Sequence, residues 1–235
     1  MADTDELKKA TFRLRYDVYV DEFGFEKPED HPGGYETDEY EHCSIHFAAI
    51  DEHDEVIGTV RLVRHSEKGF PIEHATKVGF IGPKPPPERI AEISRLAVSR
   101  NYRRRKGDGL LGVESYLTQS EGGILPDEGP VPDEYRSRKN PIIVLGLYQI
   151  MYHESKRRGI THWYMITEDK LFNTLKKYDI LFEKIGDPVE YHGHRTPYLG
   201  ILSKIEDHLI RNHPDFMRVI LMGLEEEYHP PFPEA

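Results

Sequence analysis

The residues with the most chemistry to offer cluster around one stretch, AEISRLAVSRNYRRRKGDGLL, over positions 91–111. A β-branched run leads into Arg103, Arg104, Arg105 and Lys106, then Gly107-Asp108-Gly109 and an apolar helical start. Glycines let backbone N–H groups converge on an anion, and a helix N-terminus adds partial positive charge. Composition leaves two readings of this basic run open: a solvated loop, or a phosphate cradle and docking point for an acidic partner. Arg61 stands in the middle of the apolar run VIGTVRLV. A guanidinium there needs an anion, either a protein carboxylate such as Asp38 or Glu36, or a substrate carboxylate. Thirteen histidines invite a metal reading, and His192 and His194 would share a strand face. Without a Cys cluster or an HExxH pattern, no metal site is assigned. Cys43 reads as a small buried residue, since no placed base accompanies it.

These residues need elements to position them. Residues 5–23 read as an amphipathic helix through Leu7, Ala10, Leu14, Val18 and Phe23. The Pro- and Gly-bearing stretch 27–34 is a loop. Two runs, 44–51 and 56–63, read as strands joined by a polar hairpin, and 91–98 as a third strand. Over 118–141 the composition turns to Gly, Pro and acidic residues, a long surface excursion or a disordered insertion. Asn140-Pro141 opens a helix that runs through Arg158 and stops at Gly159. A strand follows over 162–167, then a helix capped by Asp169 and two short extended runs over 183–199. After Leu202 come two amphipathic helices broken at His213-Pro214 and a Pro-rich tail. The order predicts an α+β (mixed α/β) class with a mainly antiparallel start. One domain spans 1–200, and 201–235 is a C-terminal helical extension.

Composition narrows the partners. The chain has 235 residues and a net charge of −11, which argues against nucleic acid and anionic membranes. One cysteine cannot form an internal disulfide, which points to a reducing compartment. The first residues, MADTDELKKA, lack the apolar core of a signal peptide, and no apolar run is long enough for a membrane span. The expectation is a soluble, cytoplasmic protein. Ten Phe and 14 Tyr supply core material although only 37% of residues are apolar.

Strand–Arg-x-x-Gly-x-Gly–helix, with Arg104, Gly107 and Gly109 in register, resembles the acyl-donor loop of the GNAT acyltransferase superfamily. A longer set carries the resemblance further. LRYDVY at 14–19, ETDEYE at 36–41, GTVRL at 58–62 and EISRLAV at 92–98 occur in the order seen in one GNAT subgroup. That subgroup holds the acyl-homoserine-lactone (autoinducer) synthases and the N-acyl amino acid synthases. Closest in texture is the PEP-CTERM/exosortase system-associated acyltransferase family, through SIH at 44–46 and YHGHRTPY at 191–198. Where the autoinducer synthases carry a second aspartate this chain has Glu41, and it offers Phe23 and Phe25 in place of their early-loop tryptophan. Both departures favour another amine acceptor.

The resemblance implies a central mixed, mostly antiparallel sheet flanked by helices. It also implies transfer of a fatty acyl group from an acyl-carrier-protein (or CoA) thioester to an amino acid or related amine, with no permanently bound cofactor. Glu92, Arg95 and Arg61 would be catalytic, with Arg15, Asp38 and Ser94 binding substrate. Arg103, Arg104, Arg105, Gly107 and Gly109 would meet the acyl donor or its carrier protein. An ammonium must lose a proton before it attacks a thioester, and Glu92 suits that base role, directly or through water. A backbone N–H of the same strand would hold the oxyanion, with help from Arg95. Glu92 and Arg95 are three residues apart, whereas a regular strand alternates faces with period 2. A bulge near 93–96 is therefore expected. Asn173 and Tyr178 only loosely resemble the GNAT helix that carries an acid tyrosine, and Tyr178 is assigned to packing. Three other activities remain open: an autoinducer synthase, a CoA-dependent acetyltransferase, and a non-catalytic acyl-ligand binding module.

Overall fold

The structure is a computed structural model that describes residues 1–102, 140–177, 180–191 and 193–232. The polar segment up to residue 139, Tyr178 and His192 lie outside the described residues.

Helix α1 spans Asp5–Tyr16. Its N-cap Thr4 accepts a hydrogen bond from the Leu7 amide at 3.2 Å, and Asp5 and Glu6 suit the positive end of the helix dipole. The helix expected over 5–23 changes character at Asp17: residues Asp17–Glu22 form a π-helix, and the Phe23 amide bonds back to the Val18 carbonyl at 3.0 Å. Strands β1 (Ser44–Ile50) and β2 (Val56–Arg64) follow the loop region, then a short helix α2 (Pro71–Ala75) and strand β3 (Ile90–Val98). Next come α3 (Asn140–Arg157), β4 (His162–Thr167), α4 (Asp169–Lys177), β5 (Phe182–Lys184), β6 (Val189–Glu190) and β7 (His194–Ile201). Helices α5 (Leu202–Asn212) and α6 (Pro214–Leu221) complete the order, broken at His213-Pro214 as expected. Among the described residues no helix is long and apolar enough to cross a membrane.

The strands follow the order β1-β2-β3-β4-β7-β5, with β6 on β7. β3 and β4 run parallel, from Ile90 opposite His162 to Ile93 opposite Met165. β7 is antiparallel to β4, β5 and β6. The chain forms two compact units, Met1–Arg61 with Arg95–Tyr148, and Leu62–Ser94 with Gln149–Ala235. In the first, Leu14, Val18 and Ala97 form a buried cluster against Tyr19, Phe23 and Val56. In the second, Phe70, Ile72, Ile90, Tyr164, Ile185 and Leu199 do so. There the Tyr152 hydroxyl and Lys156 ammonium both donate to Glu206 at 2.7 Å, tying α3 to α5.

β3 is buried on both faces from Ile90 to Ile93, where its register with β4 ends. Two residues later Arg95 adopts φ +53°, in the left-handed region. Among the described non-glycine residues only Asp54 shares that sign of φ. The backbone irregularity at Arg95 thus lies within 93–96, while β3 runs unbroken from Ile90 to Val98.

Candidate active site

The first unit buries a network of three arginines and three carboxylates. Arg15 lies on the inner face of α1 with Thr11, Leu14 and, one turn on, Val18. Its guanidinium stacks over Phe12 at 5.2 Å. It donates through Nε to Glu36 and through Nη2 to Glu41 Oε1 at 2.8 Å. The Glu36 amide is fixed to the Phe12 carbonyl at 3.1 Å. The next residues form a tight turn in which side chains serve as local acceptors. The Tyr40 amide bonds Asp38 Oδ1 at 2.9 Å, and the Asp38 amide bonds Glu41 Oε1 at 3.2 Å.

Arg61 reaches this turn from β2. Its Nη1 and Nη2 grip Asp38 Oδ1 and Oδ2 at 2.7 and 2.8 Å, and Nη1 also meets Glu41 Oε1 at 3.0 Å. That fork-to-fork geometry is the strong form of an Arg–carboxylate pair. Arg95 closes the ring, with Nε on Glu36 Oε1 at 3.0 Å and Nη2 on Asp38 Oδ2 at 3.3 Å. His46 places Nε2 3.0 Å from Glu41 Oε2, and Glu26 stands 3.7 Å from Arg95.

The electrostatics are those of a desolvated but balanced cluster. Burial alone would raise the Glu36 carboxyl, yet the charges of Arg95 and Arg15 hold it below the usual carboxylate range. Asp38 is likewise lowered, burial being overcome by the Arg61 hydrogen bonds and charge. Glu41 is lowered furthest, against burial, by His46, Arg15 and Arg61. The cluster also has an open edge. The Arg15, Glu36 and Arg61 side chains are at most 1% exposed, whereas Asp38, Glu41 and Arg95 keep 24%, 18% and 15%.

Glu92 and Ser94 belong to the other unit. Glu92 is buried, and its Oε2 accepts the Ile72 amide of α2 at 2.8 Å. Its register partner on β4 is Tyr164, whose hydroxyl is pushed up to about 12 by burial and by the charges of Glu73 and Glu92. Ser94 is half-buried. The structure therefore brings Arg15, Asp38, Arg61 and Arg95 into one network and places Glu92 and Ser94 outside it. Arg103, Arg104, Arg105, Gly107 and Gly109 lie outside the described residues. Of the two anion partners open to Arg61 in the sequence, the protein supplies one itself, Asp38. Glu36 serves Arg15 and Arg95 instead. Glu41, His46 and Glu26 had no assigned role, and the signal for the first was the density of acids in ETDEYE.

Residues 14–112 match the family described as Acetyltransferase (GNAT) domain, a span that contains every member of the network and Glu92. Among solved structures the backbone superposes on BjaI, a CoA-dependent acyl-homoserine lactone synthase with MTA, at TM-score 0.55 and 18% identity. That match covers 88% of this chain and 82% of BjaI. The fold is the GNAT acyltransferase fold. The acyl-homoserine-lactone synthase LasI matches at TM-score 0.55 and 16% identity, over 84% of this chain and 83% of its own. FeeM, an N-acyl amino acid synthase from uncultured soil microbes, matches at TM-score 0.51 and 11% identity, over 87% and 90%. No curated protein sequence matches the chain.

Proposed function

We propose that the protein is an N-acyltransferase that moves a fatty acyl group from an acyl-carrier-protein or CoA thioester to the amine of an amino acid or related metabolite. The observation that carries this reading is the buried Arg15–Arg61–Arg95 and Glu36–Asp38–Glu41 network with its exposed Asp38–Glu41–Arg95 edge. Apolar residues of similar volume commonly stabilise a core as well as a buried ion network does, so stability alone is a weak reason for six charges. Their open edge offers two carboxylates and one guanidinium. An α-amino acid presents the complementary pair, an ammonium and a carboxylate.

The resemblance assigns the proton of that ammonium to Glu92, directly or through water. The freed nitrogen lone pair attacks the thioester carbon, a C–N bond forms, and the carbonyl electrons move onto oxygen. A backbone N–H of β3 and the Arg95 charge stabilise that oxyanion. When the carbonyl reforms, the C–S bond breaks and the thiolate leaves, taking up the released proton. Fold likeness to BjaI and LasI favours one second reading, an autoinducer synthase whose product carries a lactone ring.

The test incubates the purified chain with acyl-carrier-protein and acyl-CoA thioesters and a pool of amino acids, read by mass spectrometry. An open acyl amide is expected, lost in Glu92→Gln and Arg95→Ala. A lactone assigns the second reading. If no thioester is consumed with any amine, the acyltransferase reading fails and that of a non-catalytic acyl-ligand binding module gains. Undiminished product from both variants overturns the site.

A further inference from the structure

The left-handed residue in β3 needs something to hold it there. A non-glycine residue in that region stores strain, and it persists only where its surroundings over-determine it. The side-chain bonds of Arg95 to Glu36 and Asp38 are part of that restraint. Another part comes from Tyr19, a residue that the network itself does not contain.

Tyr19 sits inside the π-helix Asp17–Glu22. Its hydroxyl donates to the carbonyl of Leu96, the residue after Arg95, at 2.7 Å. Its ring lies beneath the Arg95 guanidinium, 5.8 Å from centroid to Cζ. Its own carbonyl accepts the amides of Phe25 at 2.8 Å and Glu26 at 3.3 Å, and Glu26 is the carboxylate 3.7 Å from Arg95. One side chain thus holds the backbone just after the strained residue and supports its cation, while its main chain sets a neighbouring anion. Single π-turns inside α-helices are rare and recur at functional sites.

The geometry points to Tyr19 as a positioning residue for acyl transfer, one that acts through Arg95 by fixing both its left-handed backbone and its guanidinium. This rests on the acyltransferase reading. The phenyl ring alone keeps the cation contact, so the hydroxyl and the ring can be tested separately.

Tyr19→Phe is expected to lower kcat/KM for the acceptor about tenfold, and Tyr19→Leu to lower it further. In thermal unfolding, which needs no turnover, Tyr19→Phe is expected to cost less in an Arg95→Ala background than in the wild type, because the residue it positions is gone. Losses that add in the double variant overturn the inference. A readout that needs no turnover follows the Arg95 Nε–H by nitrogen-detected NMR, assigned with Arg95→Lys. Its exchange with water is expected to accelerate about tenfold in Tyr19→Phe, and unchanged exchange also overturns the inference. If the wild-type chain consumes no thioester, the acyltransferase reading fails by itself, and the exchange measurement still decides whether Tyr19 holds Arg95.

Discussion

Replacing Arg61 by methionine should be among the most damaging single changes in the first unit. The Arg61 side chain is 1% exposed and makes three charge-assisted hydrogen bonds, at 2.7, 2.8 and 3.0 Å. Hydrogen bonds to charged groups contribute about 1.5–3 kcal/mol each, for a gross loss of about 5–9 kcal/mol. Two effects offset it: the buried guanidinium no longer has to be desolvated, and water can reach Asp38 and Glu41 at their exposed edges. Removing one partner of a buried pair typically costs 3–5 kcal/mol, and the partial exposure puts this case near the lower end, at about 3 kcal/mol. For a chain of this length that is a fall in Tm of about 6–12 °C.

The pH dependence gives the reasoning a second handle. Glu36, Asp38 and Glu41 all have carboxyls lowered from ordinary values of 4.5, 3.8 and 4.5. Groups lowered in the folded state contribute stability that is present above their unfolded pKa and is lost as pH falls. The gap between wild type and Arg61→Met should therefore be full at neutral pH and narrow as pH drops through 4.5 and below. Thermal melts followed by circular dichroism across that range measure it. Melting of the variant within a degree of wild type at neutral pH, or a gap that widens in acid, refutes the account. So does an Arg61→Met/Asp38→Asn double variant that loses the full sum of its single losses.

Other outcomes follow from single contacts. Glu92→Leu leaves the Ile72 amide without its 2.8 Å acceptor and should cost about 1–3 kcal/mol in a denaturant titration, whereas Glu92→Gln keeps an acceptor and should cost less than about 1. Gly186→Ala would bring a Cβ within 2.6 Å of the Lys77 carbonyl oxygen and 2.8 Å of the Pro197 ring, so a loss of about 2 kcal/mol is expected by the same titration. Charge reversal of Arg103, Arg104 and Arg105 should lower kcat/KM with acyl-carrier-protein thioesters more than with acyl-CoA, and added salt should act likewise. Equal losses for both donors would instead assign the run to phosphate binding.

Much of the framework was legible because its periodicities are strong. β4 starts and stops where the run HWYMIT does, and the break between α5 and α6 falls at a proline that cannot continue a helix. The three-residue spacing of Glu92 and Arg95 pointed to an irregularity near 93–96, where Arg95 does take up a left-handed backbone. Which residue carries it was not legible: left-handed residues are normally glycine or asparagine, and nothing about an arginine announces φ +53°. The π-helix was hidden for a related reason, because an apolar pattern over 5–23 reads the same whether one turn is wide or not. Helix α2 was missed because five residues show no period. Pro71 at its start and Glu73, which caps the Phe70 amide at 3.0 Å, were the available signs. That omission mattered, since α2 supplies the amide that holds Glu92. His46 as a partner of Glu41 had no sequence signal beyond its place in a strand.

The network also bears on how the first unit holds together in time. Arg15 is 21 residues from Glu36, Arg61 is 23 from Asp38, and Arg95 is 59 from Glu36. Every one of these bonds closes a loop, and the chain entropy of closure must be met before any bond forms. Contacts of that span belong late on the folding path, after the helix and hairpin that carry them exist. Their stabilisation then falls mainly on the barrier to unfolding and leaves the rate of folding little changed. A cluster that leaves Asp38 and Arg95 partly exposed is in that sense also a latch, one that slows the opening of the first unit.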